Sequence, residues 1–158
     1  MNIRVSAGTL VPYLSASQLA GYLRCPKQYW FRYIAKKTPS HVGVALPFGR
    51  AWGNVIAHYL KNSEPGHLVP LPELAEYFRE DFERELADAQ APVLFDEEET
   101  AASLIETAER MLQVFQEKVP LPEAVLGVEM AFSVSLAHPE EPDDPLPVPL
   151  VGAIDVLV

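Results

Sequence analysis

A single carboxylate stands in an otherwise apolar stretch near the C-terminus. Asp155 lies between Ile154 and Val156 in the run VPLVGAIDVLV, whose composition predicts a β-strand. These neighbours predict burial of the carboxylate, and a buried charge without a partner costs several kcal/mol. A divalent metal ion is a natural partner, so Asp155 is a candidate metal ligand.

Cations and aromatic side chains are interleaved in the first third of the chain. Residues 1–62 carry eight Lys or Arg and no Asp or Glu, a net charge of +8, so the chain's total of -10 leaves -18 for the rest. Cations attract phosphates and aromatic rings stack on bases, although a merely solvated basic face is the alternative interpretation. We predict nucleic-acid binding by eight residues: Arg24, Lys27, Tyr29, Trp30, Arg32, Lys36, Lys37 and Arg50.

The segment around Cys25 is predicted to form two short helices. Ser15, followed three residues later by Gln18, is typical of a capping box at a helix start. Pro26 disfavours a helical conformation at Cys25 and suits the first position of a new helix, so we predict a break there. Cys25 is the sole cysteine, which excludes an internal disulfide framework.

Three longer helices are predicted from apolar residues at helical spacing. The first, in PFGRAWGNVIAHYLKN, carries His58. The second runs from about Pro72 to Ala89, and the many charges opposite its apolar side indicate a surface cover. The third is predicted to begin at a cap formed by Asp96 and Glu99. Its continuous apolar face makes it the strongest core candidate among the helices.

Two strands are predicted after Pro122, where the apolar period changes from helical to alternating. Residues 128–136 alternate and include Glu129, and the acidic, proline-rich run HPEEPDDPLP predicts an exposed loop before the strand that bears Asp155. The expected fold is α+β, with N-terminal helices followed by an antiparallel β-hairpin. Length, composition and the lack of a long apolar run predict one globular, cytoplasmic domain.

Eight positions in the N-terminal segment carry a resemblance to a known family. They resemble the N-terminal motif of the RecB-like and AddB-like nucleases of the PD-(D/E)XK superfamily, and they are Leu14, Ser15, Ser17, Leu19, Tyr22, Cys25, Pro26 and Tyr29. The run Gly152-Ala153-Ile154-Asp155 similarly resembles the family's Gly-x-Ile-Asp strand. The resemblance implies the first half of a restriction-endonuclease-like core. It also implies a metal-dependent DNA exonuclease that hydrolyses phosphodiesters in DNA repair or recombination.

The resemblance assigns roles to three catalytic candidates. It makes Asp155 a ligand of Mg²⁺ or Mn²⁺, places Glu129 where family members carry a Glu, and matches His58 to a helix-borne His of the metal site. The match of His58 is looser, because Gly53 lies five residues before it, a departure from the family spacing. Cys25 corresponds to an iron–sulfur ligand of members that supply three more cysteines, so no cluster can form within this chain alone.

The family motif of Asp or Glu, any residue, then Lys is missing from these 158 residues. In the family it completes the metal site and helps to orient the attacking water, so we expect an incomplete nuclease domain that is inactive by itself. We expect residues 14–62 to form a basic helical cap, 72–118 further helices and 124–158 the strands. The alternative is a non-catalytic nucleic-acid-binding or scaffolding module derived from the same fold.

Expectations about partners follow from the resemblance and from the last strand. DNA is the expected ligand, with a helicase or recombination protein as a partner and no membrane association. The strand that contains Asp155 has little other charge, and an open edge of this kind is a template for pairing. A homodimer formed through this edge is therefore expected.

Overall fold

The structure is a computed structural model that describes residues 12–145 and 147–158. The chain divides into two compact units. Of the described residues, the first holds those up to Thr38 together with those of the range Met130–Ile154, and the second holds Pro39–Glu129 and Asp155–Val158. Helices dominate the N-terminal part of the chain and strands its C-terminal part. The α+β prediction is confirmed.

The helical segment of the first unit breaks where the sequence predicts. Helix α1 covers Ala16–Arg24, α2 covers Pro26–Tyr29, and a π-helical turn follows over Trp30–Ile34. The Ser15 hydroxyl caps α1 by accepting a hydrogen bond from the Gln18 amide at 3.3 Å. Cys25 is extended, with φ -157° and ψ 100°, because proline follows it.

Three longer helices build the second unit. They are α3 over Ala45–Asn62, α4 over Leu71–Ala87 and α5 over Ala101–Lys118. Two short parallel strands, β1 over Val42–Gly43 and β2 over Val93–Leu94, join the chain before α3 to the chain after α4. None of the described helices is both long enough and apolar enough to cross a bilayer.

The centre of the second unit lies between α3 and α4. Leu74, Phe78 and Phe82 of α4 are fully buried, and the rings of Phe78 and Phe82 stack with their centroids 5.6 Å apart. Helix α4 is therefore an amphipathic surface helix, as predicted, but its apolar face is buried more completely than that of α5, the helix predicted to be the core. The charged residues of α4 other than the buried Asp81 lie outside the core, whereas its narrow apolar stripe at positions i, i+4 and i+8 supplies three large buried side chains.

Helix α5 contributes less to the core than its sequence predicts. Only Ala108 and Leu112 of this helix are fully buried, and Val114 remains 55% exposed. Its start also differs from the prediction, since Thr100 and Ser103 form the capping box with reciprocal hydrogen bonds of 3.0 and 3.1 Å. The earlier Asp96 and Glu99 instead form a turn, in which the Glu99 amide donates to the Asp96 carbonyl.

The two predicted strands pair as expected. Strand β3 covers Gly127–Val134 and pairs with β6 over Leu150–Leu157. The amide of Leu126, just before β3, donates to the carbonyl of Leu157 at the end of β6, so the strands run antiparallel. Valine side chains near these ends, Val128 and Val156, pack against the core of the second unit.

The connection between these strands is more ordered than a simple loop. Strands β4 over Ala137–His138 and β5 over Glu141–Pro145 form a small antiparallel hairpin with an irregular register. The expectation of an exposed loop is therefore wrong for this stretch, in which extended proline conformations are compatible with an edge strand. Leu14 also bridges the start of β6, through hydrogen bonds of 2.9 Å to Pro149 and 2.8 Å to Val151.

The Phe78→Ala variant tests the position of the core. We expect it to lower the free energy of unfolding by about 3–5 kcal/mol, because it leaves a cavity beside Phe48 and Phe82. Phe95→Ala removes a ring that is 37% exposed, and we expect a loss of about 1 kcal/mol or less. Urea denaturation followed by circular dichroism measures both, and equal losses would contradict the assignment of α4 to the core.

Candidate functional site

Asp155 lies near the end of β6, and its side chain is exposed. The prediction that this carboxylate is buried is wrong. The adjacent apolar side chains of Ile154 and Leu157 are themselves about two-fifths exposed, at 42% and 38%, so apolar neighbours in sequence do not surround the carboxylate here. The carboxylate is therefore accessible to a solvated ligand.

The glycine of the Gly-x-Ile-Asp run has a packing role in the paired strands. A Cβ atom added at Gly152 would lie 2.7 Å from Cζ of Phe132 on β3, closer than side chains approach each other. The Phe132 ring therefore covers the position of the missing side chain, an arrangement known from cross-strand glycine and aromatic pairs. Gly152 thus allows close packing on the strand that carries Asp155.

Glu129 has an unusual backbone conformation for a strand residue. Its φ angle is +56°, a left-handed value that is uncommon for residues other than glycine. Its side chain is exposed, and it belongs to β3, the partner strand of β6. Conformations of this kind cost roughly 1–3 kcal/mol and occur often at functional sites, so the structure adds a reason to keep Glu129 among the candidates.

His58 lies on α3 and is held by two neighbours. Its ring stacks on that of Tyr77 from α4, with the centroids 4.3 Å apart and the planes 22° from parallel. The side-chain amide nitrogen of Asn62 lies 3.3 Å from Nδ1 and also donates to the His58 carbonyl at 2.8 Å. The ring is therefore oriented by contacts from α3 and α4, and its Nε2 atom is the one left to bind something else.

The Nε2 atom of His58 is buried and has no hydrogen-bond partner among the described residues. The nearest acid is Glu73 in the first turn of α4, with Oε1 3.6 Å away. This separation is too long for a hydrogen bond, and Glu73 remains 59% exposed. Sequence reasoning missed Glu73, because it lies fifteen positions from His58 and only the packing of α3 on α4 brings them together.

The described residues offer some of the ligand atoms that a hard divalent ion such as Mg²⁺ or Mn²⁺ binds. An unoccupied imidazole nitrogen and accessible carboxylates are suitable ligands for Mn²⁺, and carboxylates also suit Mg²⁺. Within residues 12–145 and 147–158, however, no three His, Cys, Asp or Glu side chains gather closely enough to form a metal-binding group. The described residues thus provide isolated metal-binding side chains and one close pair, formed by His58 and Glu73.

A pocket of about 190 Å³ lies beside α1 in the first unit. Four of its lining residues lie on one face of α1: Ser17, Ala20, Gly21 and Arg24. The other four come from α2 and the π-helical turn: Gln28, Tyr29, Arg32 and Tyr33. We call this the α1–α2 pocket. Its described lining combines two arginines with two tyrosines and includes no Asp or Glu.

The pocket includes three of the eight residues predicted to bind nucleic acid. These are Arg24, Tyr29 and Arg32, whereas Lys27, Trp30, Lys36 and Lys37 are exposed elsewhere on the same segment. Arg50 belongs to the second unit, where its guanidinium forms an ion pair with Glu85 at 3.2 Å. Sequence reasoning left Ser17, Gln28 and Tyr33 out of the binding set, although their spacing along the two helices could have indicated one shared face.

The tyrosines of the pocket form a contiguous cluster. Tyr29 lies edge-on to Tyr22, with the ring centroids 5.5 Å apart, and its centroid is 5.0 Å from that of Tyr33. Partial burial, and to a lesser extent the charge of Tyr33, raises the pKa of Tyr29. The Tyr29 hydroxyl therefore stays protonated at neutral and mildly alkaline pH, where it can donate a hydrogen bond to an anion.

Cys25 acts as the cap of α2. Its sulfur lies 3.4 Å from the Gln28 amide nitrogen, which donates to it, and the thiol is half-buried and free. A weak acceptor at this position satisfies one of the orphan amides at a helix start. The described role of Cys25 is thus local and structural, and its role as an iron–sulfur ligand stays a prediction.

Comparison with known proteins identifies the family. The family model of the PD-(D/E)XK nuclease superfamily matches residues 13–158, a range that contains every candidate described above. No curated protein and no solved structure matches the chain at a significant level. The matched range covers nearly all of the 158 residues, and the chain therefore belongs to the PD-(D/E)XK nuclease superfamily.

Proposed function

We propose that this chain forms the strand-binding and metal-binding part of a RecB-like DNA exonuclease that acts in repair or recombination. The observation that carries this proposal is the superfamily match over residues 13–158. The N-terminal motif and the Gly152–Asp155 run support the finer assignment to the RecB-like branch. The reaction would be metal-dependent hydrolysis of a phosphodiester bond.

Asp155 and His58 are the proposed ligands of a Mg²⁺ or Mn²⁺ ion, with Glu129 as a further catalytic carboxylate. When bound, such an ion would polarise a phosphodiester and acidify a water molecule. The accessible Asp155 carboxylate is compatible with this role, and so is Nε2 of His58, which has no hydrogen-bond partner among the described residues. The left-handed backbone at Glu129 is consistent with a functional constraint on that residue.

Tyr77 would position His58 for this role, and Asn62 would have to move. A metal-binding Nε2 needs its lone pair free, so Nδ1 must carry the hydrogen and donate it. In the structure the Asn62 amide nitrogen lies beside Nδ1 and donates to the His58 carbonyl, so metal binding would require this side chain to move away from Nδ1. Stacking on Tyr77 keeps the imidazole plane fixed during such a change.

The cations of the N-terminal segment would hold the DNA backbone. These cations would not distinguish one DNA sequence from another, because contacts to phosphates are independent of the bases. Exposed Trp30 and Phe31, whose ring centroids lie 5.2 Å apart, add a surface on which bases of a single strand could stack. Sequence-independent binding of this type suits an exonuclease that degrades a strand from its end.

A non-catalytic nucleic-acid-binding module is the second candidate. The location of the α1–α2 pocket favours it, since all the lining residues belong to the first unit, whereas Asp155, His58 and Glu129 belong to the second. Binding could therefore persist in a relative that has lost the chemistry. Metal binding distinguishes the two candidates, because only a nuclease needs the ion.

Calorimetric titration with Mn²⁺ tests the proposed metal ligands. We expect Asp155→Asn and His58→Ala each to weaken binding by about tenfold or more, because each removes one direct donor. Asp88→Asn is the matched control: it removes an exposed carboxylate of the same unit at the end of α4 and should leave the affinity unchanged. Wild-type affinity in both ligand variants would exclude these residues from the site.

DNA binding by the basic segment is tested by comparing two cations. Fluorescence anisotropy of a labelled single-stranded oligonucleotide should show that Lys27→Ala reduces affinity and lowers the salt slope by about 1. Arg50→Ala should change both quantities less, because Glu85 already pairs with that guanidinium. A larger effect at Arg50 than at Lys27 would move the binding surface to the second unit.

Hydrolysis by the 158-residue polypeptide should be slow or absent even with Mn²⁺, although binding persists. The reason is the lack of any Asp or Glu followed two residues later by Lys, a motif that helps to activate water in the superfamily. A gel assay with end-labelled DNA measures this. Robust cleavage that Asp155→Ala abolishes would show that other residues perform the missing roles.

A further inference from the structure

The α1–α2 pocket has an electrostatic character that is unusual for this acidic protein. Among the lining residues that the structure describes there are two arginines and neither Asp nor Glu, although the chain carries a net charge of -10. In sequence, residues 1–62 contain neither Asp nor Glu, although the other segment of the first unit carries the acidic run from Glu140 to Asp144. The two positive charges at its wall favour an anionic ligand over a cationic one.

Neutral donors accompany the two guanidinium groups. The lining also includes Ser17, Gln28, Tyr29 and Tyr33, whose side chains carry a hydroxyl or an amide. Arginine forms paired hydrogen bonds with phosphate oxygens, and such charge-assisted bonds are about twice as strong as neutral ones. The raised pKa of Tyr29 preserves its hydroxyl as a donor beside an anion. The lining thus offers charge and hydrogen bonds to the same ligand.

The size of the pocket limits what the ligand can be. An apolar cavity of about 150 Å³ holds one benzene molecule, so about 190 Å³ is enough for a phosphate group and the carbon attached to it. A complete nucleotide would extend beyond it. The tyrosine cluster at its wall could then contact the sugar or the first base.

We propose that the α1–α2 pocket binds the terminal phosphate of a nucleic-acid strand. A phosphate monoester at a strand end carries about -1.5 to -2 charges at neutral pH, which matches two arginines better than the single charge of an internal phosphodiester. The pocket thereby anchors a strand end on the first unit. This inference rests on the proposed function, because it assumes that the ligand of the chain is a nucleic acid.

Glycine at position 21 gives the pocket part of its depth. A Cβ atom at Gly21 would lie 4.0 Å from Cε2 of Tyr33, an ordinary van der Waals contact, and because Gly21 lines the pocket, a longer side chain there would extend into it. Gly21→Leu would therefore fill the space while both arginines remain. Leucine is also a much better helix former than glycine, so α1 should stay folded.

Anisotropy competition with matched oligonucleotides tests the proposal. Unlabelled strands with a 5′-phosphate, a 3′-phosphate or only hydroxyl ends compete with a labelled strand. We expect one phosphorylated end to bind about tenfold more tightly than the hydroxyl end, as paired arginine contacts require. Arg32→Gln and Gly21→Leu should each reduce this preference to about twofold or less, whereas Arg110→Gln on α5, which removes the same charge, should leave it intact.

Titration with inorganic phosphate separates failure of this inference from failure of the proposed function. Amide NMR signals of Gly21, Arg24 and Tyr29 should shift at millimolar phosphate, and those shifts should be lost in Gly21→Leu. If phosphate binds but no oligonucleotide does, the pocket is an anion site and the nucleic-acid function fails. If all strand ends compete equally, or phosphate shifts none of these signals, the proposed terminal phosphate site is excluded.

Discussion

The packing of α3 against α4 is the interaction on which the second unit depends. Phe48 of α3 contacts the stacked rings of Phe78 and Phe82, and Val55 and Leu74 are fully buried in the same cluster. Burial of each large apolar side chain contributes roughly 1.5–3 kcal/mol. The same packing brings Tyr77 and Glu73 to His58, so the environment of a proposed metal ligand is a consequence of the core.

A buried carboxylate sets the alignment of these two helices. Asp81 of α4 is only 1% exposed. One of its oxygens accepts a hydrogen bond of 2.8 Å from Asn54 of α3, and Arg84 of the same helix contacts the other. A buried charge without such partners would be strongly destabilising, and removing either partner would expose that cost. The pair therefore favours one register of α3 on α4 over others that would bury the same apolar area.

The first unit relies on local backbone rules instead of a large core. Proline at position 26 ends α1 at Arg24, and capping by Ser15 and Cys25 satisfies amides at the two helix starts. The break turns the chain so that one face of α1 and one face of the following segment line the same pocket. A π-helical turn at Trp30–Ile34 continues that segment, and such turns are frequent at functional sites. The pocket of the first unit therefore depends on the helix caps, on the change of chain direction at Cys25 and on the two arginines in its lining.

The sequence by itself determined the helix break at Cys25, the order of helices before strands, the pairing of two strands and the family motifs. Helix caps, proline and apolar periodicity act over a few residues, so the sequence shows their effects directly. Tertiary structure decided which helix forms the core, since the same apolar stripe on α4 or α5 is buried only if another element covers it. It also decided the exposure of Asp155, the contact between His58 and Glu73, and the pocket that joins Arg24 to Tyr33. Those features join residues whose distance in space is set by packing, and local sequence rules carry no information about that distance.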